Sequence, residues 1–275
     1  MLKWENTIIE SKHFPDGTLH LSFDERFFIP ALYDDPNYRT ITWMYENDAE
    51  LFSLICLVKS IRQNRDGGDG MALYLKMPYI PHARMDRVKN REDVFTLKYF
   101  AEVINSLKFT KVYVLDPHSH VSEALIENIV VYTPMNYISD VLNIIDDSNI
   151  MFFFPDEGAM KRYSGMFQYP YCYGIKNRDW KTGKILGLDL AGPVGDIAGK
   201  NVLIVDDICS RGGTFLHSAR RLKEVGAEDI YLFVSHCENA ILQGELLDGD
   251  LVKRVYITNS IFTASHPKIE VIEIV

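Results

Sequence analysis

Cysteine is scarce in this chain. There are four among 275 residues, Cys56, Cys172, Cys209 and Cys237, and none forms a Cys-x-x-Cys pair. That spacing excludes a disulfide scaffold and a structural zinc site, and it suits a reducing cytosol. Long apolar runs are also missing: the longest, around Leu51 to Val58, falls far short of the ~20 residues a membrane helix needs. The opening Met-Leu-Lys-Trp-Glu-Asn has no apolar core and does not read as a secretory leader. Basic charge is outweighed, with 29 Lys and Arg against 38 Asp and Glu and a formal net charge of −9. The chain therefore has no general attraction to nucleic acid or to an anionic membrane. These absences describe a soluble cytoplasmic protein with neither kind of partner. A phosphorylated ligand would need a local concentration of positive groups inside an acidic envelope.

What is present is ordinary globular material, 47% apolar and 24% charged. At about 150 residues per domain the length allows one large or two small domains. Leu51, Leu54, Ile55, Val58 and Ile61 recur at helical spacing behind a capping Asn47 or Asp48. A second helix reads through Val94, Leu97, Ala101, Ile104 and Leu107, and others over 158–167 and 214–225. Short continuous apolar runs at 71–77, 111–115, 129–132, 150–154, 201–205, 230–234 and 254–258 read as strands. Strands alternating with helices predict parallel sheets covered on both faces, in two related α/β units divided near residue 140. Such sheets place ligands beyond the carboxyl ends of their strands. Asp116 and His118, Asp156, and Asp206 with Asp207 all follow apolar strands in this way.

The most informative stretch runs from Val202 to Thr214. An apolar strand ends in Asp206 and Asp207, and a small Gly-rich turn, Ser210-Arg211-Gly212-Gly213-Thr214, then opens a helix. Glycines permit close backbone approach, and free N–H groups with the helix dipole bind an anion such as phosphate. Two acids just before a phosphate make sense if they hold sugar hydroxyls, or a metal, one ribose length away. An ordinary strand–turn–helix with an Asp cap would share much of this pattern, and a Gly-Gly-Thr alone would not displace that simpler reading.

The complete string resembles the ribose-phosphate-binding signature of the phosphoribosyltransferase fold. The rest of the chain resembles the ribose-phosphate diphosphokinase (phosphoribosyl diphosphate synthetase) family. Pro78-Tyr79-Ile-Pro-His-Ala83-Arg84-Met85-Asp86-Arg87 is similar to its Pro-Tyr…Ala-Arg-Gln-Asp-Arg segment, and Asp116-Pro-His118-Ser to its Asp-Leu-His-Ala. Pro155-Asp156-Glu157-Gly158 is similar to its diphosphate loop, and Lys176-Asn-Arg178 to the Lys-x-Arg of its mobile catalytic loop. Phe14-Pro-Asp16-Gly17 is similar to the loop that reaches adenine in a neighbouring subunit. The matches occur in family order. Met85 stands where the family has Gln, Thr18 where it has Glu, and Arg211 where it has Thr.

The resemblance implies two tandem phosphoribosyltransferase-like domains, each a mostly parallel sheet flanked by helices. Residues 1–140 would form the ATP side and 141–275 the ribose 5-phosphate side. It implies transfer of the diphosphoryl group of ATP to O1 of ribose 5-phosphate by a magnesium-dependent homo-oligomer, a dimer or higher. Asp206, Asp207, Ser210, Arg211, Gly212, Gly213 and Thr214 would bind ribose 5-phosphate, and Asp156, Glu157 and Gly158 the diphosphate. Arg84, Asp86, His118, Phe14 and Asp16 would bind ATP, with His118 and Asp156 at the metal. Lys176 and Arg178 would be catalytic. For Arg84 the plainer reading is a surface ion pair with Asp86, and for residues 176–184 a solvated loop. A phosphoribosyltransferase that consumes the diphosphate, and a non-catalytic synthetase-like regulatory subunit, remain as alternatives.

Overall fold

Where apolar residues run continuously they form strands, and where they recur every three or four residues they form helices. The computed structural model describes residues 1–22, 38–63, 72–178 and 185–274, with the side chains of 176–178 and 185–186 excepted. Two units result, Met1–Tyr132 and Thr133–Val275.

In the first unit, β1 (Leu2–Trp4), β2 (Thr7–Ile9), β5 (Tyr38–Trp43), β6 (Ala72–Lys76), β7 (Lys111–Leu115) and β8 (Ile129–Tyr132) form a sheet in the order β2-β1-β5-β6-β7-β8. β1 runs antiparallel to both neighbours, and β5 to β8 are parallel. A separate hairpin joins β3 (Lys12–His13) to β4 (Leu19–His20). Helix α1 (Ala49–Gln63) starts where the Asn47 side chain accepts the Ala49 N–H, and it buries Leu54, Leu57, Val58 and Ile61 at i, i+3, i+4 and i+7. Helices α2 (Thr96–Ser106) and α3 (His120–Leu125) connect the next strands. The strands are laid down in chain order from β5 to β8, so right-handed crossovers return every helix to one side. One core accordingly gathers Ile41, Trp43, Leu75 and Val114 with Leu57, Leu97 and Ile104, and Val121 and Leu125 of α3 pack against it. The opposite face carries a row of tyrosines. Tyr38 stacks on Tyr74 with centroids 5.2 Å apart, and Tyr113 on Tyr132 at 5.8 Å. Helices on both faces were expected, but among the described residues of this unit they cover one.

The second unit contains α4 (Met135–Ile145), β9 (Ile150–Phe154), α5 (Glu157–Tyr163), β10 (Tyr171–Arg178), β11 (Ile185–Ala191), β12 (Asn201–Cys209), α6 (Gly213–Glu224), β13 (Ile230–Cys237), β14 (Arg254–Thr258) and β15 (Ile269–Ile272). Their order is β11-β10-β9-β12-β13-β14-β15, with only β10 and β11 antiparallel. From β9 the chain moves one way to β10, and from β12 the other way to β13. The crossover helices α5 and α6 therefore lie on opposite faces, and each face has its own core. Met151, Phe153, Ile204 and Leu232 pack with Phe215, Ala219 and Leu222 of α6. Phe152, Phe154, Leu203 and Val205 pack with Ala159 and Tyr163 of α5 and with Ile138 and Val141 of α4. The last contact explains a difference in the boundary, which falls at 132/133 and not at 140/141: α4 buries its apolar side against the second sheet. No helix among the described residues is long and apolar enough to cross a membrane.

Candidate active site

In an open α/β sheet the ligand crevice lies where the strand order reverses. Here that point falls between β9 and β12, and acids lie just beyond the end of β9 and within the last residues of β12. β9 delivers Asp156, whose side chain caps α5 by accepting the Ala159 N–H at 3.0 Å. β12 does not stop at Val205 as expected but continues through both acids to Cys209, in register with β13 as far as Cys237. Strand alternation then separates the acids. Asp207 shares the face of Leu203 and Val205, where α5 lies, and Asp206 shares the face of Ile204. Asp207 is nearly buried, and its Oδ2 lies 3.1 Å from Nη1 of Arg162 on α5. The Asp207 N–H donates to Oδ1 of Asp206 at 3.0 Å. Burial, with the Asp207 charge next in size and Asp156 adding less, pushes the Asp206 carboxyl well above the usual carboxylate range.

After Cys209 the chain turns through the Gly-rich loop. Gly212 sits at φ 76°, the left-handed conformation that glycine takes without a steric penalty, and α6 begins at Gly213. The loop has a wall that the sequence did not disclose. The Ser210 hydroxyl donates to Oε2 of Glu238 at 2.7 Å. Arg211 reaches Gln243 at 3.5 Å, and Leu246 lies against Gly212. Gly244 is so close that a Cβ there would stand 1.9 Å from the Arg211 carbonyl oxygen. Cys209 is fully buried, and its thiol is pushed well upward, first by its hydrogen bond to Cys237 and then by burial. It is not an activated nucleophile.

In the first unit the 78–87 segment and the turn after β7 come together. Leu115 donates its N–H to the Pro78 carbonyl at 2.9 Å. Asp116 is buried at φ 43°, an uncommon conformation for a residue with a side chain. Asp86 is buried, and it accepts two hydrogen bonds from Arg87, at 2.7 and 2.8 Å. Arg87 outweighs the cost of burial, and with smaller contributions from Ser119 and His118 it holds the Asp86 carboxyl at about 2. Arg87 thus pairs with Asp86, and Arg84 is exposed.

The chain has recognisable relatives. A family profile described as the phosphoribosyl synthetase-associated domain matches residues 191–275. The ribose-phosphate pyrophosphokinase of Saccharolobus solfataricus is 26% identical over 234 residues, covering 83% of this chain and 76% of that one. The enzyme of the same name from Pyrococcus furiosus is 27% identical over 237 residues, covering 84% and 78%. In three dimensions, phosphoribosylpyrophosphate synthetase from Mycobacterium smegmatis superposes with a TM-score of 0.75 at 17% identity, over 97% of this chain and 86% of that chain. Over most of its length this chain is similar to the ribose-phosphate pyrophosphokinases, and it shares the fold of phosphoribosylpyrophosphate synthetase.

Within that family framework the expected residues fall into four places. Asp206, Asp207 and Ser210 to Thr214 are contiguous at the switch point of the second sheet, with Asp156 beside them at the start of α5. Glu157, the neighbour of Asp156, forms an exposed ion pair with Lys161 at 3.1 Å, and Gly158 lies in the first turn of α5. Asp86 and His118 neighbour each other in the first unit. Phe14 to Gly17 form the turn of the β3–β4 hairpin. There Asp16 accepts the N–H and hydroxyl of Thr18, and Phe14 lies on His20 with centroids 4.9 Å apart.

Lys176 and Arg178 require a correction. Their backbone continues β10, paired with Leu188 and Ile185 of β11, where a loop was expected. Their side chains, and residues 179–184, lie outside the described residues. The metal assignment joined His118 to Asp156, which belong to different units. Among the described residues no group of three or more His, Cys, Asp or Glu is gathered for an ion. Arg162, Glu238, Gln243 and Gly244 were missed because each reaches the site through contacts distant in sequence. Strand parity was the one available signal, since it places Asp207 on the α5 face.

Proposed function

We propose that the chain is a ribose-phosphate diphosphokinase: ATP and ribose 5-phosphate give 5-phosphoribosyl 1-diphosphate and AMP. The reading is carried by one observation, the junction of β12 with α6, where paired acids precede a Gly-rich turn and a helix N-terminus at the sheet's switch point. The names of the relatives agree with it. The second unit is the ribose 5-phosphate side. Free N–H groups at the start of α6 and the Thr214 hydroxyl take the 5-phosphate, joined by the Ser210 hydroxyl when its proton turns from Glu238, with the Arg211 guanidinium at the rim. Asp206 and Asp207 accept from the ribose hydroxyls. The first unit is the ATP side, where Asp86 and His118 neighbour each other and Arg84 is exposed toward solvent.

In the reaction, ribose O1 attacks the β-phosphorus in line, a new P–O bond forms, and the bond to the α-phosphate oxygen breaks. AMP leaves with that oxygen, and O1 loses its proton. Such a transfer needs little covalent work from the protein, so positioning and charge stabilisation dominate. Lys176 and Arg178 are the cations assigned to the transferring group by the family resemblance. Magnesium, when bound, would neutralise phosphate charge. The donor set fits an ion held mainly by substrate oxygens, because magnesium takes one or two carboxylates and keeps its waters. Asp156 is the carboxylate that would hold it; the His118 nitrogen is a poor direct ligand for this ion and would act through water. The Phe14–Gly17 turn resembles a loop lent between subunits, so the working form is a homo-oligomer.

The deciding assay supplies ATP, ribose 5-phosphate and magnesium and measures AMP. AMP formation that depends on ribose 5-phosphate supports the synthetase. A phosphoribosyltransferase would instead release diphosphate from phosphoribosyl diphosphate in a base-dependent way, and a regulatory subunit would do neither.

A further inference from the structure

Two adjacent carboxylates, one of them buried, are unstable companions, and the structure shows how the buried one is held. Asp207 is 6% exposed, and Arg162, itself only 24% exposed, places Nη1 3.1 Å from its Oδ2. The guanidinium is in turn fixed from its own helix: the same Nη1 lies 3.3 Å from the Tyr163 hydroxyl, and Cζ stands 5.5 Å from the Tyr163 ring centroid. Tyr163 is packed in the core beneath. The helix carrying Arg162 is anchored at its other end by the Asp156 side chain. A seven-residue helix, α5, therefore joins the Pro155–Gly158 turn at its first residues to Asp207 at its last turn.

We infer that Arg162 is a positioning residue for ribose recognition. Through its ion pair it fixes the direction and charge of the Asp207 carboxylate, so that this side chain is already aimed when ribose 5-phosphate arrives. The inference rests on reading Asp206 and Asp207 as the ribose-binding acids, and it assigns Arg162 no contact with substrate. Without Arg162, Asp207 faces Asp206 with one fewer counter-charge. Its carboxylate then turns away or takes up a proton, and either change removes an oriented acceptor for the sugar hydroxyls. The planar guanidinium matters as well as its charge, because its Cζ stands over the Tyr163 ring while Nη1 reaches Asp207, and an ammonium group has no flat face to lay on a ring.

The test uses the full chain, with ribose 5-phosphate binding measured calorimetrically without ATP, alongside kcat and both KM values. Arg162→Met is expected to weaken ribose 5-phosphate binding by roughly 10- to 100-fold, the scale on which partners of a binding residue act. The KM for ATP should stay within about threefold, and Arg162→Lys should recover part of the loss. Because the arginine acts through Asp207, Arg162→Met added to Asp207→Asn should cost no more than Asp207→Asn alone. If Asp207→Asn abolishes binding while Arg162→Met and Arg162→Lys both leave it near wild type, the inference is overturned and the ribose reading stands. A fall in melting temperature with equal losses for both substrates makes Arg162 merely structural and also overturns it. If Asp207→Asn leaves ribose 5-phosphate binding intact, the ribose reading itself fails, and the role of Arg162 falls with it.

Discussion

Gly244→Ala is the sharpest probe of the Gly-rich loop and of the phosphate site proposed there. Gly244 lies at φ −99° and ψ 170°, an extended conformation that any residue adopts, so the added methyl is the whole perturbation. That methyl would lie 1.9 Å from the Arg211 carbonyl oxygen, 2.9 Å from its carbon and 3.3 Å from its Cα. An ordinary carbon–oxygen contact needs more than 3 Å, so one strand of backbone must move by roughly 1 Å. Neither partner is a side chain that can rotate away. Overpacking of this kind costs about 1–3 kcal/mol. The displacement falls on the Ser210–Thr214 turn, and a misplacement of about 1 Å in a positioned site costs on the order of 100-fold in rate. Steady-state kinetics with ribose 5-phosphate varied should therefore show kcat/KM falling by roughly 10- to 100-fold, with a smaller change in the KM for ATP. A variant with unchanged ribose 5-phosphate kinetics and an unchanged melting temperature would show that the Glu238–Leu246 wall does not fix the loop.

Other outcomes follow from the charges at the two sites. Asp206→Asn removes a carboxyl whose folded pKa is raised, so ionising it costs stability as pH climbs above the ordinary value of 3.8. The variant should melt roughly 2–8 °C higher at neutral pH while binding ribose 5-phosphate less well, with the thermal gap widening as pH rises; a lower melting temperature would contradict this. Asp86 has the opposite sign. Held at about 2 against 3.8, it contributes about 2 kcal/mol that is present above pH 4 and lost as pH falls through 2. The stability difference between wild type and Asp86→Asn should shrink accordingly on acidification, as followed by thermal melts, and a gap independent of pH would refute the Arg87 pairing. Lys176→Ala should lower turnover by several orders of magnitude, near the 10³–10⁵-fold scale of a transition-state cation, while ribose 5-phosphate binding survives in calorimetry.

The elements of this fold were legible because their periodicity is local. The continuous runs of β9 and β13 are buried along their whole length, and the 3.6-residue period of α1 and α6 returns the same residues to the core. The β12–α6 junction was legible for a related reason: acids, glycines and the helix start are consecutive, so their chemistry is written in one string. The ends of elements were harder to read. β12 extends through Asp206 and Asp207 because β13 beside it continues to Cys237, and a strand's length is set by its neighbour's hydrogen bonds. The family resemblance puts Lys176 and Arg178 in a loop, yet antiparallel pairing with β11 extends β10 through them.

By itself, the sequence determined the α/β class, the two-unit plan, the order of the family motifs and the acids and glycines of the β12–α6 junction. Each of these depends on residue type and near-neighbour spacing, which folding does not alter. Tertiary structure decided which partner each charge received. Arg87 pairs with Asp86, Arg162 came down from α5 onto Asp207, and Glu238 reached back to Ser210. It also decided that, among the described residues, the first sheet carries its helices on one face and the second on both, because strand order, not strand content, fixes the side to which a right-handed crossover returns. Ion pairs and close backbone contacts join residues tens of positions apart, and only the completed sheet brings them within reach.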